Sequence, residues 1–246
     1  MQVGDYDELR KILANRRVIS ETRPTFQTGL HELDRLASGG SFQCGAVHEL
    51  LWPPRFPSPR SIALLMARGA QRDNSGNLGG TIVWSDPAGE LNPTALGAWG
   101  IDLRQFIILR CPSEADELWA LSECLRTGGV RAVVASLRSL SQVAARRLQL
   151  AAEQGGGAGI FLRPFTPASA HYAAATRWLV QPQPTDPGKE GRGSWGGQRW
   201  SVKLLHGHGG HGNSVLLEAD RETGALHISA PLADRPAAAP PRRITA

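Results

Sequence analysis

Residues 47–61 read VHELLWPPRFPSPRS and run into the apolar stretch 62–66. A buried strand, a loop and a helix opening on Arg-Ser is the layout of a phosphate-cradling loop, GxxxxGK[ST] between strand and helix. The loop chemistry departs from that motif. Pro54, Pro59 and Arg60 stand where two glycines and a lysine belong, and only Ser61 fits. Such a loop works because consecutive backbone N–H groups turn inward around a phosphate, which requires glycine's access to positive φ and every donor present. Pro53, Pro54, Pro57 and Pro59 remove four donors and fix φ near about −65°. Arg60 is a broad planar fork, not the compact ammonium that reaches between phosphates.

Other side chains with chemical capacity are scattered. His206, His208 and His211 lie in a glycine-rich stretch. They lack a fourth ligand at a set spacing, so no metal is expected there. Cys44, Cys111 and Cys124 are odd in number and irregularly spaced, which suits neither a disulfide framework nor a zinc site. They read as reduced thiols of a cytoplasmic protein. Arg146, Arg147, Arg163, Arg177, Arg199 and Lys203 are candidates for a basic surface near the carboxyl ends of strands, where open α/β sheets bind ligands. DNA bound there would be held through phosphates and released by salt. Trp52, Trp84, Trp178 and Trp200 suit core or rim positions, whereas Trp195 sits in a glycine-rich loop.

The chain of 246 residues is 41% hydrophobic and 20% charged, ordinary values for a globular protein, with a formal net charge of +5. No stretch approaches the roughly eighteen unbroken apolar residues of a membrane span. The first seventeen residues contain no apolar signal core, which argues against secretion.

The elements that must position these residues follow from periodicity. Leu9, Ile12 and Leu13 form one stripe of a short amphipathic helix over residues 7–17, a candidate partner-binding helix. A second helix is expected over 28–36, ended by Ser38-Gly39-Gly40. Short apolar runs at 46–51, 81–84, 106–109, 132–136 and 159–162 read as strands buried on both faces. Helical patterns at 62–70, 92–99, 115–126 and 138–154 alternate with them, with a capping box at Ser113-x-x-Asp116 and a stop at Gly155-Gly156-Gly157. That alternation predicts an α/β fold with a mostly parallel sheet between helices. Strands at 172–180, 199–205, 214–218 and 226–229, with a hairpin turn at 220–224, predict an antiparallel C-terminal extension. The organisation expected is a helix and arm over 1–25, a core domain over 26–232 and a disordered tail over 233–246.

Thr28-Gly29 to Asp34, the glycine pair, the strand at 47–51 and the loop after it resemble the ATPase core of the bacterial recombinase RecA. So does Trp84-Ser85-Asp86-Pro87-Ala88-Gly89-Glu90-Leu91-Asn92-Pro93 with the Leu96 to Asp102 stretch. The resemblance spans roughly residues 5–230 and implies a RecA-like core. It also implies where catalytic groups would stand. Counted back from Leu91-Asn92-Pro93, Asp86 matches a family aspartate, but the water-activating carboxylate position falls on Ala88, two residues from Glu90. The magnesium-supporting aspartate position falls on Ala135, next to Ser136. Phosphoryl transfer depends on a metal and positioned charge, so no catalysis and no cofactor are expected. The segments matching the DNA-binding loops, after 136 and at 163–172, are short.

A RecA-like fold without its motor resembles the ImuA type and, more distantly, the SulA division inhibitors. The length and the strand Arg199-Trp200-Ser201-Val202-Lys203-Leu204-Leu205 favour the ImuA type. That resemblance implies an accessory protein of damage-induced translesion synthesis, partnered by an ImuB-type homologue of Y-family polymerases, an error-prone replicative-type polymerase and RecA, with DNA contact a further expectation. The alternatives are a SulA-like inhibitor and a divergent nucleotide-binding ATPase.

Overall fold

A computed structural model describes residues 24–72, 79–166, 174–184, 198–207, 214–220 and 225–231. The helix expected at Leu9, Ile12 and Leu13, the tail, the 221–224 turn, Trp195, His208 and His211 lie outside them.

The chain enters through a two-residue strand β1 (Thr25–Phe26) that pairs antiparallel with β2 (Phe42–Gln43). Between them the helix expected over 28–36 is a single turn, α1 (His31–Asp34), followed by a 3-10 turn at Ser38–Gly40. The cause is Asp34. Its carboxylate accepts hydrogen bonds from the Thr28 amide at 2.9 Å, the Thr28 hydroxyl at 2.8 Å and the Gly29 amide at 3.2 Å, folding the segment back on itself. Burial pushes this carboxyl's pKa up, against the pull of those donors.

The main sheet then follows the predicted alternation. β3 (Val47–Trp52) leads to α2 (Arg60–Gln71), β4 (Thr81–Ser85) to α3 (Pro93–Ala98), β5 (Phe106–Leu109) to α4 (Glu114–Arg126), and β6 (Val130–Ser136) to α5 (Gln142–Gly155). β7 (Ala158–Pro164), β8 (Thr176–Gln183), β9 (Arg199–His206), β10 (Ser214–Ala219) and β11 (Leu226–Pro231) complete it. The nine strands lie in the order β11-β10-β9-β8-β3-β7-β6-β4-β5. Every pairing from β5 to β8 is parallel, and β8, β9, β10 and β11 pair antiparallel. The α/β class, the mostly parallel sheet and the antiparallel extension are therefore as the sequence predicts.

Local chemistry sets the boundaries. Ser113 caps α4 by accepting from the Asp116 amide and donating to its carboxylate at 2.7 Å. Asn92 caps α3 through its side-chain oxygen, with Pro93 at the first helical position. α5 starts at Gln142, four residues later than its apolar pattern suggests, because Leu137 is still tied to the sheet through Leu162 and Ser141 supplies the cap. Gly156, with φ of 79°, ends it. Pro182 is tolerated in β8 because it lies beyond Thr176–Leu179, the part paired with β3.

Two cores result. On one face α2 is buried almost all round, Ile62 to Ala67 packing between the sheet and the β1–β2 arm with Phe26, Phe42, Trp84, Trp178 and Trp200. On the other, Leu121, Leu125 and Leu148 from α4 and α5 cover Val47, Val133, Ala135 and Phe161. Each such large side chain contributes about 1.5–3 kcal/mol by leaving water.

Candidate functional site

The carboxyl ends of β3, β4 and β6 are where a RecA-like enzyme would hold a nucleotide. After β3 the chain turns at Pro53, the Phe56 amide bonding back to the Pro53 carbonyl at 3.0 Å. The Arg60 amide bonds to the Ser58 carbonyl at 2.8 Å, and the Ile62 and Ala63 amides reach the Pro59 carbonyl. With four prolines lacking N–H and these amides already engaged, the loop offers no run of inward donors for a phosphate. Pro54 is exposed, Pro59 is buried, and Arg60 and Ser61 are half-buried.

Beyond β4, Ala88 lies exposed in a tight turn whose Gly89 has φ of 68°. Asp86 is buried and shapes that turn: its carboxylate accepts from the Glu90 amide at 2.9 Å and the Leu91 amide at 3.2 Å. Arg110 approaches the same carboxylate at 3.8 Å. Glu90 reaches across to Arg60 and forms an ion pair with it. The cation at the lysine position and Glu90, two residues after Ala88, thus satisfy one another.

Ala135, at the third position, is fully buried in the core beneath α4 and α5, level with Phe161 on β7. Ser136 ends the strand half-buried. From there only residues 137–141 separate β6 from α5, so the first of the two loops that resemble DNA-binding loops is short in space as in sequence. A cleft of about 220 Å³ remains beside the proline loop, lined by Pro57 to Ser61, Pro182, Gln183, Gln198, Arg199 and Trp200.

The structure does not bring the six basic residues together. Arg146 and Arg147 are exposed on α5, and Lys203 is exposed on β9. Arg199 is paired with Glu218 at 2.9 Å. Arg163 and Arg177 are buried: Nη1 of Arg163 donates to one Glu49 oxygen at 2.7 Å, and Nε of Arg177 donates to the other at 2.8 Å. Neither guanidinium is on a surface that a phosphate backbone reaches. Nη2 of Arg177 is buried with no hydrogen-bond partner among the described residues.

This triad is the feature that periodicity missed. Its signal was present, because a glutamate inside an apolar strand buried on both faces requires a charged partner. β7 and β8 flank β3, each carrying one arginine on the face that Glu49 occupies. His48, on the opposite face, is also fully buried. Its Nε2–H donates to the Gln43 carbonyl at 2.9 Å, leaving Nδ1 to accept from the Thr176 hydroxyl at 2.8 Å. Trp178 Nε1 donates to that same hydroxyl oxygen at 2.7 Å. Burial lowers the His48 pKa to about 4, so it stays neutral.

No activated nucleophile is evident among the described cysteines. Cys44, Cys111 and Cys124 are free thiols, and desolvation is the first cause raising the pKa of each. Among the described residues no three His, Cys, Asp or Glu side chains cluster as metal ligands, and no helix is long and apolar enough to cross a membrane.

The strand order, the turn built on Thr28 and Asp34, and the loops at the ends of β3, β4 and β6 define an α/β protein of RecA-like layout. Comparison with known proteins narrows the class. The chain is 29% identical over 232 residues to Protein ImuA of Caulobacter vibrioides strain NA1000 / CB15N, covering 88% of this chain and 93% of that protein. Protein ImuA of a second strain of that species, ATCC 19089 / CIP 103742 / CB 15, matches to the same extent. The ImuA-type resemblance carried by the motifs is thereby borne out across most of the chain. No protein-family model matches.

Proposed function

We propose that this chain is a non-catalytic RecA-like accessory protein of DNA-damage-induced translesion synthesis, working by binding a partner of the ImuB type, a homologue of Y-family polymerases. The similarity to ImuA supports the pathway. The observation that carries the non-catalytic part is the internal use of the nucleotide positions: a proline loop with its amides bonded to itself, Arg60 held by Glu90, and Ala88 and Ala135 without carboxylates. Positioned charge and a metal are what phosphoryl transfer needs, and these residues supply neither. The protein acts in this reading as a scaffold in the cytoplasm. An error-prone replicative-type polymerase and RecA are further partners, and any DNA contact falls to exposed cations such as Lys203 and not to the buried arginines.

The test is damage-induced mutation frequency in a strain deleted for this gene and complemented with the wild type or with Arg60→Ala/Ser61→Ala. Deletion should lower the frequency, and both complementing forms should restore it equally. Failure of the double variant alone, together with micromolar ATP–magnesium binding by calorimetry, would establish a nucleotide-dependent protein instead. Filamentous cells on overexpression, with no effect on mutation frequency, would point to division control.

A further inference from the structure

Helix α5 carries a second stripe that its own fold does not use. Ala145, Leu148 and Ala152 turn into the core. On the opposite side Val143 is 81% exposed and Leu150 is 47% exposed, with Arg146 and Arg147 exposed between them. These four residues fall at i, i+3, i+4 and i+7, the spacing that aligns side chains on one helical face. Among the described residues neither arginine has an ion-pair partner, and of the carboxylates on α4 and α5 only Glu114 is exposed without a bond of its own. Glu153 accepts from Gln149, Asp116 is bonded by Ser113, and Glu123 is paired with Arg126. α4 packs alongside α5 and presents Trp119, 59% exposed, away from its buried Glu117, Leu121 and Leu125.

We infer that the outer face of α5, with Trp119 beside it, is a docking surface for an acidic amphipathic helix of a protein partner. The chemistry selects that occupant. Two uncompensated cations at the centre of the stripe call for carboxylates opposite them, while Val143 and Leu150 one turn to either side call for apolar side chains at matching spacing. A nucleic-acid backbone would match the arginines and leave both aliphatic side chains and the indole against phosphate and water. A short stripe of this kind gives its specificity through the central charges and its affinity through the apolar anchors.

The inference rests on the scaffold reading above, with the docked helix belonging to the Y-family polymerase homologue. The experiment measures binding of the full-length chain to that purified homologue, using wild type, Val143→Glu/Leu150→Glu and Arg146→Glu/Arg147→Glu. All four positions are exposed, so thermal unfolding of each variant should match the wild type and serves as the folding check. Each pair should weaken binding by at least about tenfold, and the charge reversal should also invert the salt dependence, so that added salt strengthens binding where it weakens that of the wild type. Equal affinity for all three proteins overturns the docking surface and leaves the scaffold reading standing. No binding by the wild type overturns both. Loss of affinity for a labelled single-stranded oligonucleotide in the charge-reversed variant, with partner binding intact, assigns the face to nucleic acid. A wild-type dimer that the same substitutions dissociate assigns it to a second copy; either result overturns the inference.

Discussion

Arg60 and Glu90 form an ion pair that ties the first residue of α2 to the turn after β4. The charges face each other, with side chains 37% and 56% exposed. An ion pair so open to solvent contributes only about 0–1 kcal/mol, so its significance is occupancy and not stability.

Arg60→Ala should therefore leave urea-induced unfolding almost unchanged, within about 1 kcal/mol. Calorimetric titration of the variant and the wild type with ATP and magnesium should give no heat of binding in either case. A signal that appears only after Arg60 or Glu90 is removed would show that the pair masks a competent site.

Glu49 is the opposite case. Its two arginine partners are buried beside it, and Glu49→Gln leaves two cations facing one neutral amide. Breaking a buried pair from one side costs about 3–5 kcal/mol, which should appear as a lower urea midpoint with an unchanged slope. Glu49→Leu/Arg163→Met/Arg177→Met should be no less stable than the wild type, because the buried Nη2 of Arg177 already lacks a partner.

His48 predicts how stability depends on pH. Its pKa is about 4 when folded and about 6.5 when exposed. The unfolded chain therefore binds the extra proton between those values, and the stability from keeping the ring neutral is complete above about pH 6.5 and lost as pH falls towards 4. The full loss is on the order of 3 kcal/mol. Thermal unfolding followed from pH 7 to 4 should show a decline that His48→Gln flattens.

Gly69 marks a close approach. A Cβ there would sit 2.2 Å from the Gln27 carbonyl oxygen, a backbone atom that cannot step aside. Gly69→Ala should thus destabilise by about 1–3 kcal/mol or more, despite alanine's better helix propensity. A denaturation midpoint at or above that of the wild type would show that the β1–β2 arm is free to move off α2.

The strands and most helices were legible because each is either apolar on both faces or periodic on one. The capping box at Ser113 and the stop at Gly155-Gly156-Gly157 announced themselves by type, whereas the Asn92 cap on α3 was taken as part of the helix. The segment at 28–36 was misjudged because Leu30, Leu33 and Leu36 mimic helical spacing, while Asp34 turns the chain through bonds to Thr28 and Gly29 that no periodicity reveals. Substitutions at Pro54, Pro59, Ala88 and Ala135 could be read directly. The pairings that decide what Arg60, Arg163 and Arg177 do could not, since Glu90 and Glu49 reach them only once strands distant in sequence are neighbours.

That arrangement governs the order in which the protein can assemble. β3 is made early, yet Glu49 finds its partners 114 and 128 residues further along the chain, and β3 pairs with β7 on one side and β8 on the other. At about 5–20 residues per second a ribosome needs on the order of ten seconds to supply them. For that interval β4, β5 and β6 can pair as a parallel set, while VHELLW waits as an apolar segment with a lone carboxylate. A nascent chain stopped before residue 176 would lack one side of its central strand, so the last third of the sequence completes the sheet that the first third begins.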